Sequence, residues 1–581
     1  MRYGCLCLFA GVVNGAQSLA LCGNTSSLTY EISSSYDAEQ LATDISCSKG
    51  TFSVIWYGEV SLNSTLSLEG GTSLNIRGGD ALASIDGEAN IPLFDVYDGA
   101  LSIEGLTLRN GNASDTEGGY VQGGAIRVNR GRLSVAGCTF DSNQAAESGG
   151  AIYASSSEVF VENSAFVNSK AGEPGVGTGG GIHVYLGKAL IRNSAIYRCF
   201  AGEIGGGAWL KSGDFTVFNT TFVENMAGDK SGTNFVENVE TPGRGGGLSV
   251  DRCEGGFYGG PCQIDLNLFQ DNFAGEKGGG VVVGGGGVYN NIKIERCTFR
   301  YNSAGKTDPA FDDFPAGDGG AVSVGGGFFV LAINSTFERN LAGGKGGAIV
   351  TSTNSELEVC DSVFSANEAR GEGGGAITVG SRSKLEINSS YFVSNYAEDS
   401  GGAIAALSYS TVLLKNGTFH DNYANQDGGV MTAQGLVLVS SGTFGGNVAR
   451  LNGGVFYASE NSNFTISGGS FSFNSAKSNG GSLYLGIGSE MLVSNGTFFG
   501  NKALNSGGFV FVNGHFRVTG GTFHNNSAEE GGFICVHSSY ASCSGITVEN
   551  HEDFTWSLHN VDDRRWRFGG LQMNLGCLER G

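Results

Sequence analysis

The sequence predicts an all-β fold, a right-handed parallel β-helix of roughly eighteen coils with a short helix closing its N-terminal end. Three observations predict it. The pattern Phe-x-x-Asn-x-Ala occurs 12 times, beginning at Phe140, Phe222, Phe269, Phe299, Phe337, Phe364, Phe392, Phe419, Phe444, Phe471, Phe498 and Phe523. From Phe337 to Phe523 the copies lie 25 to 28 residues apart. Each copy is followed within a short turn by a glycine pair and a small or apolar residue, as in Gly346-Gly347-Ala348-Ile349. A fixed period of this length is produced by stacking one supersecondary unit on the next.

One repeat shows why. After Gly374-Gly375, the run Ala376-Ile377-Thr378-Val379 is rich in strand formers, and Gly380 to Ser383 is a polar turn. Leu385-Glu386-Ile387 alternates apolar and polar with the period of a half-buried strand. Phe392, Asn395 and Ala397 then complete the unit before the next glycine pair. Three short strands in so few residues cannot bury a face alone. Wound once and stacked, each pairs in parallel with its copies at ~4.8 Å, so eighteen coils predict a rod on the order of 85 Å. The same frame precedes other copies, as Leu133/Val135 before Phe140, Val159/Val161 before Phe166, Phe215/Val217 before Phe222 and Phe464/Ile466 before Phe471.

A phenylalanine and an asparagine at fixed positions predict two internal ladders. Phe364 with Asn367, Phe392 with Asn395, Phe419 with Asn422 and Phe471 with Asn474 are the expected members. The rings stack, and each amide donates to and accepts from the coils on either side. The alanine is small because the chain bends inward there. The glycine pair supplies backbone angles closed to other residues in a tight corner.

Along the chain, residues 1–18 read as a signal peptide, with Arg2 before the apolar run Leu6 to Val13 and small residues at Gly15, Ala16 and Ser18. Residues 19–119 are read as a cap and irregular coils. Ser35 to Ile45 is the capping helix, with Leu41 and Ile45 at i,i+4. Residues 120–548 form the regular body, and 549–581 a C-terminal cap or disordered end. Two coils carry insertions: a Gly-rich one with Cys253 and Cys262, and an acidic one from Asp308 to Asp318. Insertions of this kind in repeat proteins map to loops on one face. No transmembrane segment is predicted, nor a C-terminal run of alternating strands suited to a membrane barrel.

The formal net charge of −22 disfavours nucleic acid and anionic lipid as partners. It leaves room for glycan or protein. The cysteines suit an exported chain. Cys22 with Cys47, Cys253 with Cys262 and Cys535 with Cys543 are candidate local disulfides, while Cys138 and Cys297 precede a repeat Phe by two and read as buried thiols. Sequons occur at Asn24, Asn63, Asn112, Asn219, Asn334, Asn388, Asn416, Asn463, Asn495 and Asn525. In a eukaryotic secretory pathway they are candidate N-glycosylation sites. No spacing of Cys and His suggests zinc, and no cofactor is implied.

The alternation of Gly-Gly-Ala-Ile with Phe-x-x-Asn resembles the polymorphic outer membrane proteins of chlamydiae. Intact pairs include Gly346-Gly347-Ala348-Ile349 with Phe364-Ser365-Ala366-Asn367, and Gly401-Gly402-Ala403-Ile404 with Phe419-His420-Asp421-Asn422. The resemblance covers roughly residues 120 to 535 and corresponds to the passenger region only. It implies a surface-exposed or secreted β-helical adhesin, placed at the cell envelope, with an extracellular glycan or cell-surface protein as partner. Later repeats drift, to Gly453-Gly454-Val455-Phe456 and Gly507-Gly508-Phe509-Val510.

The main reading is therefore a non-enzymatic secreted or cell-surface repeat protein. Two others stand beside it: a passive extracellular structural rod, and a polysaccharide lyase or glycoside hydrolase. Hydrolysis needs paired carboxylates, and elimination a carboxylate calcium site with a base. The available carboxylates are Asp312-Asp313 in a long loop and Asp141, Asp271 and Asp421 on separate coils. His183, His420, His515, His524 and His537 read as single, without a matching aspartate cluster. No catalytic residue is assigned from the sequence.

Overall fold

The computed structural model describes residues 27–114, 121–228, 243–256, 260–284, 291–305 and 316–537. It also gives the backbone of short strands at Val12–Val13, Ala541–Ser544, Thr547–Val548, Trp556–Leu558, Phe568–Gly569 and Gln572–Met573. The signal-peptide reading, Cys22, Asn24, Asp312-Asp313 and the side chain of Cys543 lie outside the described residues. The fold is a right-handed parallel β-solenoid of about 17 turns. It divides into two compact units, Met1–Gln263 and Ile264–Gly581.

In the first unit, helix α1 spans Ser35–Cys47. Ser34 caps it: its Oγ accepts from the Asp37 amide and donates to the Asp37 carboxylate, which also accepts from the Ser33 amide. Such reciprocal pairing satisfies amides that a helix start leaves open. Ala38, Leu41, Asp44 and Ile45 are buried, and the Tyr30 hydroxyl donates to Asp44 at 2.8 Å. Leu28–Ile32 pairs in parallel with Thr51–Trp56, and that strand with Ser73–Gly78. The coils that looked irregular in sequence keep the register of the regular ones, so Leu74, Leu101, Leu133 and Val159 form one inward column.

In the second unit a coil carries four strand segments, as Ile377–Val379, Lys384–Asn388, Tyr391–Val393 and Tyr396–Ala397. The sequence reading expected three. The fourth is a two-residue strand that pairs Tyr396 and Ala397 with Glu368 and Ala369 before, and with Tyr423 and Ala424 after. The described pairings are parallel, and that of Ile404–Lys415 with Met431–Val439 shifts register between Ala406 and Ser410.

The phenylalanines stack as expected. From Phe269 to Phe523 consecutive rings sit 4.5 to 5.1 Å apart and within 14° of parallel. All are fully buried. Each stack adds about 0.5–1.5 kcal/mol to the gain from burial. In the first unit Phe140 and Phe166 form a stacked pair in this column, with Leu108 and Ile196 in register on either side and Phe222 in the coil after Ile196.

The asparagine ladder satisfies every group on its amides. Asn395 Nδ2 donates to the Phe364 carbonyl at 3.0 Å and to Asn422 Oδ1 at 2.9 Å. Its Oδ1 accepts from the Asn367 backbone amide at 3.1 Å and from Asn367 Nδ2 at 3.0 Å. The same bond links Asn272 through Asn526, one member per coil. Two coils of the first unit lack the motif and place Ser169 and Cys199 in this position. The neighbouring Asn225 still accepts from the Cys199 amide at 3.0 Å.

The glycine pair needs correction. The left-handed angle falls on its first member, as Gly401 at φ 77°, though not at Gly374. The second is required by close approach. A Cβ on Gly375 would lie 2.2 Å from the Gly402 carbonyl oxygen, so no side chain fits there.

Replacing Asn395 with leucine removes the acceptor of the buried Asn367 backbone amide, one of the two acceptors of Asn367 Nδ2, and the side-chain donor to the Phe364 carbonyl. We expect a loss on the order of 3 kcal/mol or more in urea unfolding. A midpoint equal to the parent's would mean that the ladder contributes no net stability.

Candidate binding faces

Among the described residues the buried thiols are unreactive. Burial pushes the thiols of Cys138 up to about 11 and of Cys199 and Cys297 up to about 12, which keeps them protonated and inert. Cys253 and Cys262 form the expected disulfide, with Cα atoms 6.2 Å apart. Cys47 is also disulfide-bonded. Cys535 is buried, and its proposed partner Cys543 has no described side chain.

Binding chemistry must therefore sit on outward columns. One column lies three residues after the glycine pair. In the first unit it reads Arg127, Tyr153, His183, Trp209, Ser249. Strand alternation points these side chains out, yet Tyr153, His183 and Trp209 are all buried. His183 lies edge-on to Tyr153 at 5.2 Å and against Trp209 at 4.5 Å. Its Nδ1 is 3.0 Å from Thr178 Oγ1, and its Nε2 is buried with no hydrogen-bond partner. Trp209 Nε1 donates to Asp251 at 2.7 Å, and burial raises the Asp251 carboxyl above its usual range. Burial, with the Lys211 charge nearby, holds the His183 imidazole down to about 3.

In the second unit the same column runs Thr432, Tyr457, Tyr484, Phe511. These rings stack face to face at 4.9 and 5.2 Å. Burial pushes the Tyr457 phenol up to about 12, and the Asp427 charge adds to the rise. On the lip before the glycine pair, Asn452 donates to Asp427 and accepts from Asn479. The aromatic residue three places after Gly-Gly was visible in sequence, but it repeats in too few coils to stand out from the core pattern.

A second outward column follows the core phenylalanine. There His420, Gly445, Ser472, Phe499 and His524 are in register. Phe473, next to it, is 64% exposed at φ 56°. His420 is not single, as the sequence suggested: its Nδ1 is 2.8 Å from Asp421 Oδ2. The other carboxylates also have separate local partners. Asp141 accepts from Ser142, and Asp271 from Gln270. Among the described residues no three His, Cys, Asp or Glu side chains converge as a metal site.

The exterior of the earlier coils is ion-paired. Lys384 bridges Glu356 at 2.6 Å and Glu386 at 3.5 Å, and Lys415 binds Glu386 at 2.7 Å. Further along the same unit the outward residues Leu413, Leu438 and Leu492 are apolar and line or flank a shallow depression.

The sequon asparagines divide by geometry. Asn63, Asn219, Asn334, Asn388, Asn416, Asn463, Asn495 and Asn525 are exposed. Asn219, Asn334, Asn416 and Asn525 occupy left-handed turns, with φ between 46° and 53°. Asparagine is favoured there, and the ladder serine or strand threonine follows, so the repeat generates sequons for structural reasons. Asn112 is half-buried, with Nδ2 donating to the Ala89 carbonyl at 2.7 Å.

Compared with known families, residues 229–419 match the right-handed β-helix region, and residues 137–155 match the Chlamydia polymorphic membrane protein repeat. No curated protein matches the chain. The chain is thus a surface repeat protein with Pmp-like repeats. The repeat match points to the cell envelope. Among the described residues no helix is long and apolar enough to cross a membrane.

His183 gives a pH prediction. Its folded pKa lies below the unfolded value of about 6.5, so the unfolded chain binds the proton more readily. The stability held above pH 6.5 is lost as pH falls toward about 3. Between pH 6.5 and 4 the parent's Tm should fall faster than that of His183→Phe, by at least about 2 °C. Parallel curves would show that the imidazole is not held neutral.

Proposed function

We propose that this chain is a secreted or cell-surface adhesin-like protein without enzymatic activity, which binds glycan or protein through lateral faces of the solenoid. The observation that carries this is the change of exterior chemistry along the second unit. Ion pairs around Glu356, Lys384, Glu386 and Lys415 give way to Leu436, Leu438, Phe473 and Leu504, each more than a third exposed. A stable monomer gains nothing from such residues in water, whereas a partner-binding face does. The phenylalanine and asparagine ladders run on unchanged across the same coils, while the core column after the glycine pair changes from Ile404 through Met431 and Phe456 to Val510.

Dispersed carboxylates support binding over catalysis. Asp141, Asp271 and Asp421 are each engaged with an adjacent side chain, and no two of them face one another across a cleft as acid and base must. The apolar run at the N-terminus and the local disulfide Cys253–Cys262 support export.

The chain from Gln17 onward, made through a secretory route, should be retained by host-type cells or an insoluble polysaccharide without releasing product. New reducing ends or unsaturated sugars would establish the enzyme reading instead. No retention on any surface would leave a passive structural rod. In a eukaryotic host, peptide mapping should find glycans at exposed sequons such as Asn334 and Asn388, while Asn112 stays bare. Modification of Asn112 would contradict its engagement with Ala89.

A further inference from the structure

We infer that the coils around Phe473 carry a platform for a neutral polysaccharide, in which the Phe473 ring takes the apolar face of a sugar and Asp421 takes its hydroxyls. The inference rests on the adhesive reading above and specifies its ligand and site. It starts from an exposed ring. The residue before the ladder position sits in a left-handed turn, where Ser142, Asn168, Asp271, Ser394, Asp421 and Asn525 suit the conformation; Arg198, Glu224, Arg339, Ala366 and Tyr301 also stand there, and the Tyr301 ring is engaged by Arg339. Phe473 holds the same conformation at φ 56° with 64% of its surface in water. A bulky ring in this conformation is strained, and strain of this kind collects at functional positions. Nothing in the core requires it, since the side chain lies outside.

The neighbours keep the ring open. The equivalent positions in the coils before and after are Gly446 and Gly500. Phe473 lies over Gly500, where a Cβ would come within 3.0 Å of its Cδ1 and Cε1. Asp421 lies over Gly446 in the same way, its Oδ1 2.5 Å from where a Cβ would stand. Asp421 and Phe473 thus stand two coils apart in one column, each leaning over a coil with no side chain at this position. Phe499 meets Phe473 edge to face at 5.0 Å, and His524 stacks on Phe499 at 5.2 Å, which continues the platform along the stack. His420 orients the Asp421 carboxylate from 2.8 Å.

The arrangement selects its occupant. The Tyr457, Tyr484 and Phe511 stack is aromatic too, but its faces are spent on one another and only ring edges remain. Phe473 is not in such a stack. A flat, open ring suits the broad apolar face of a pyranose, while a peptide anchor wants an enclosing pocket. A carboxylate accepts hydrogen bonds from two neighbouring hydroxyls. The negative chain, at −22, opposes uronic or sulfated polymers and leaves neutral ones.

The test uses affinity electrophoresis of the secreted chain in gels holding laminarin, glucomannan, arabinoxylan or polygalacturonate, with cell attachment measured in parallel. We expect retardation by at least one neutral polymer and none by polygalacturonate. Phe473→Asn should weaken that retardation about tenfold in Kd. Its Tm should stay equal or rise, because asparagine accepts the left-handed turn. Asp421→Asn should weaken it less, and 0.5 M salt should leave the parent's retardation intact. Equal retardation of parent and Phe473→Asn would overturn the platform, as would a lowered Tm in that variant. Attachment to cells with no neutral polymer bound would overturn the glycan inference and leave the adhesive reading standing. Salt-sensitive binding to polylysine alone would make the site a cation trap. Loss of both attachment and retardation would refute both readings.

Discussion

A buried amide with no water to turn to is the constraint on which the second unit depends. Each ladder asparagine has two donors and two acceptor sites, and each is used by the coil before or after. Such an amide left half-paired in a dry core would cost more than its bonds return. The ladder therefore tolerates no slip in register. Once it is in place, the phenylalanines three residues earlier must stack at the coil spacing, and the alanines two residues later must turn inward. The second glycine of each pair follows from the same geometry, because the next coil's carbonyl occupies the space of its side chain.

That dependence separates the two jobs of the sequence. Residues pointing in are dictated by the coil above and below, so their repetition reports packing. Residues pointing out answer only to solvent and to whatever binds. Where the outward columns are ion-paired, as at Glu356, Lys384 and Glu386, exposed pairs contribute little stability and mainly keep the surface soluble. Where they turn aromatic or aliphatic, solubility is given up locally.

The fold was legible because its signal repeats. The helix was read over Ser35 to Ile45 from i,i+4 spacing and extends to Cys47, and the ladders were read from one motif copied through the body. What escaped reading was chemistry that appears once. Ser169 and Cys199 stand in for asparagine and break the motif without breaking the fold: the Ser169 hydroxyl donates to the Val167 carbonyl of its own coil, and the Cys199 backbone amide donates to Asn225 of the next. The His183 cluster joins Tyr153, Thr178, Trp209 and Asp251 from separate coils, and insertions of unequal length hide their alignment until the strands are paired. The same holds for Phe473. It reads as one more residue inside Phe-x-x-Asn until its φ and exposure are known.

The left-handed turn before each ladder asparagine explains how such a protein can acquire a binding face cheaply. The turn is imposed by the ladder, so the backbone there is held whichever side chain it carries. Residues suited to the turn lower the strain, and a bulky one raises it by an amount on the order of 1 kcal/mol. Against a stack of bonds repeated in every coil, that cost is small and local. A solenoid whose core is over-determined can therefore present an unfavourable side chain such as Phe473 without endangering the fold. A globular domain with one core and marginal stability has less room to do so. Repetition inside is what permits departure outside, and the departures are where a partner is to be sought.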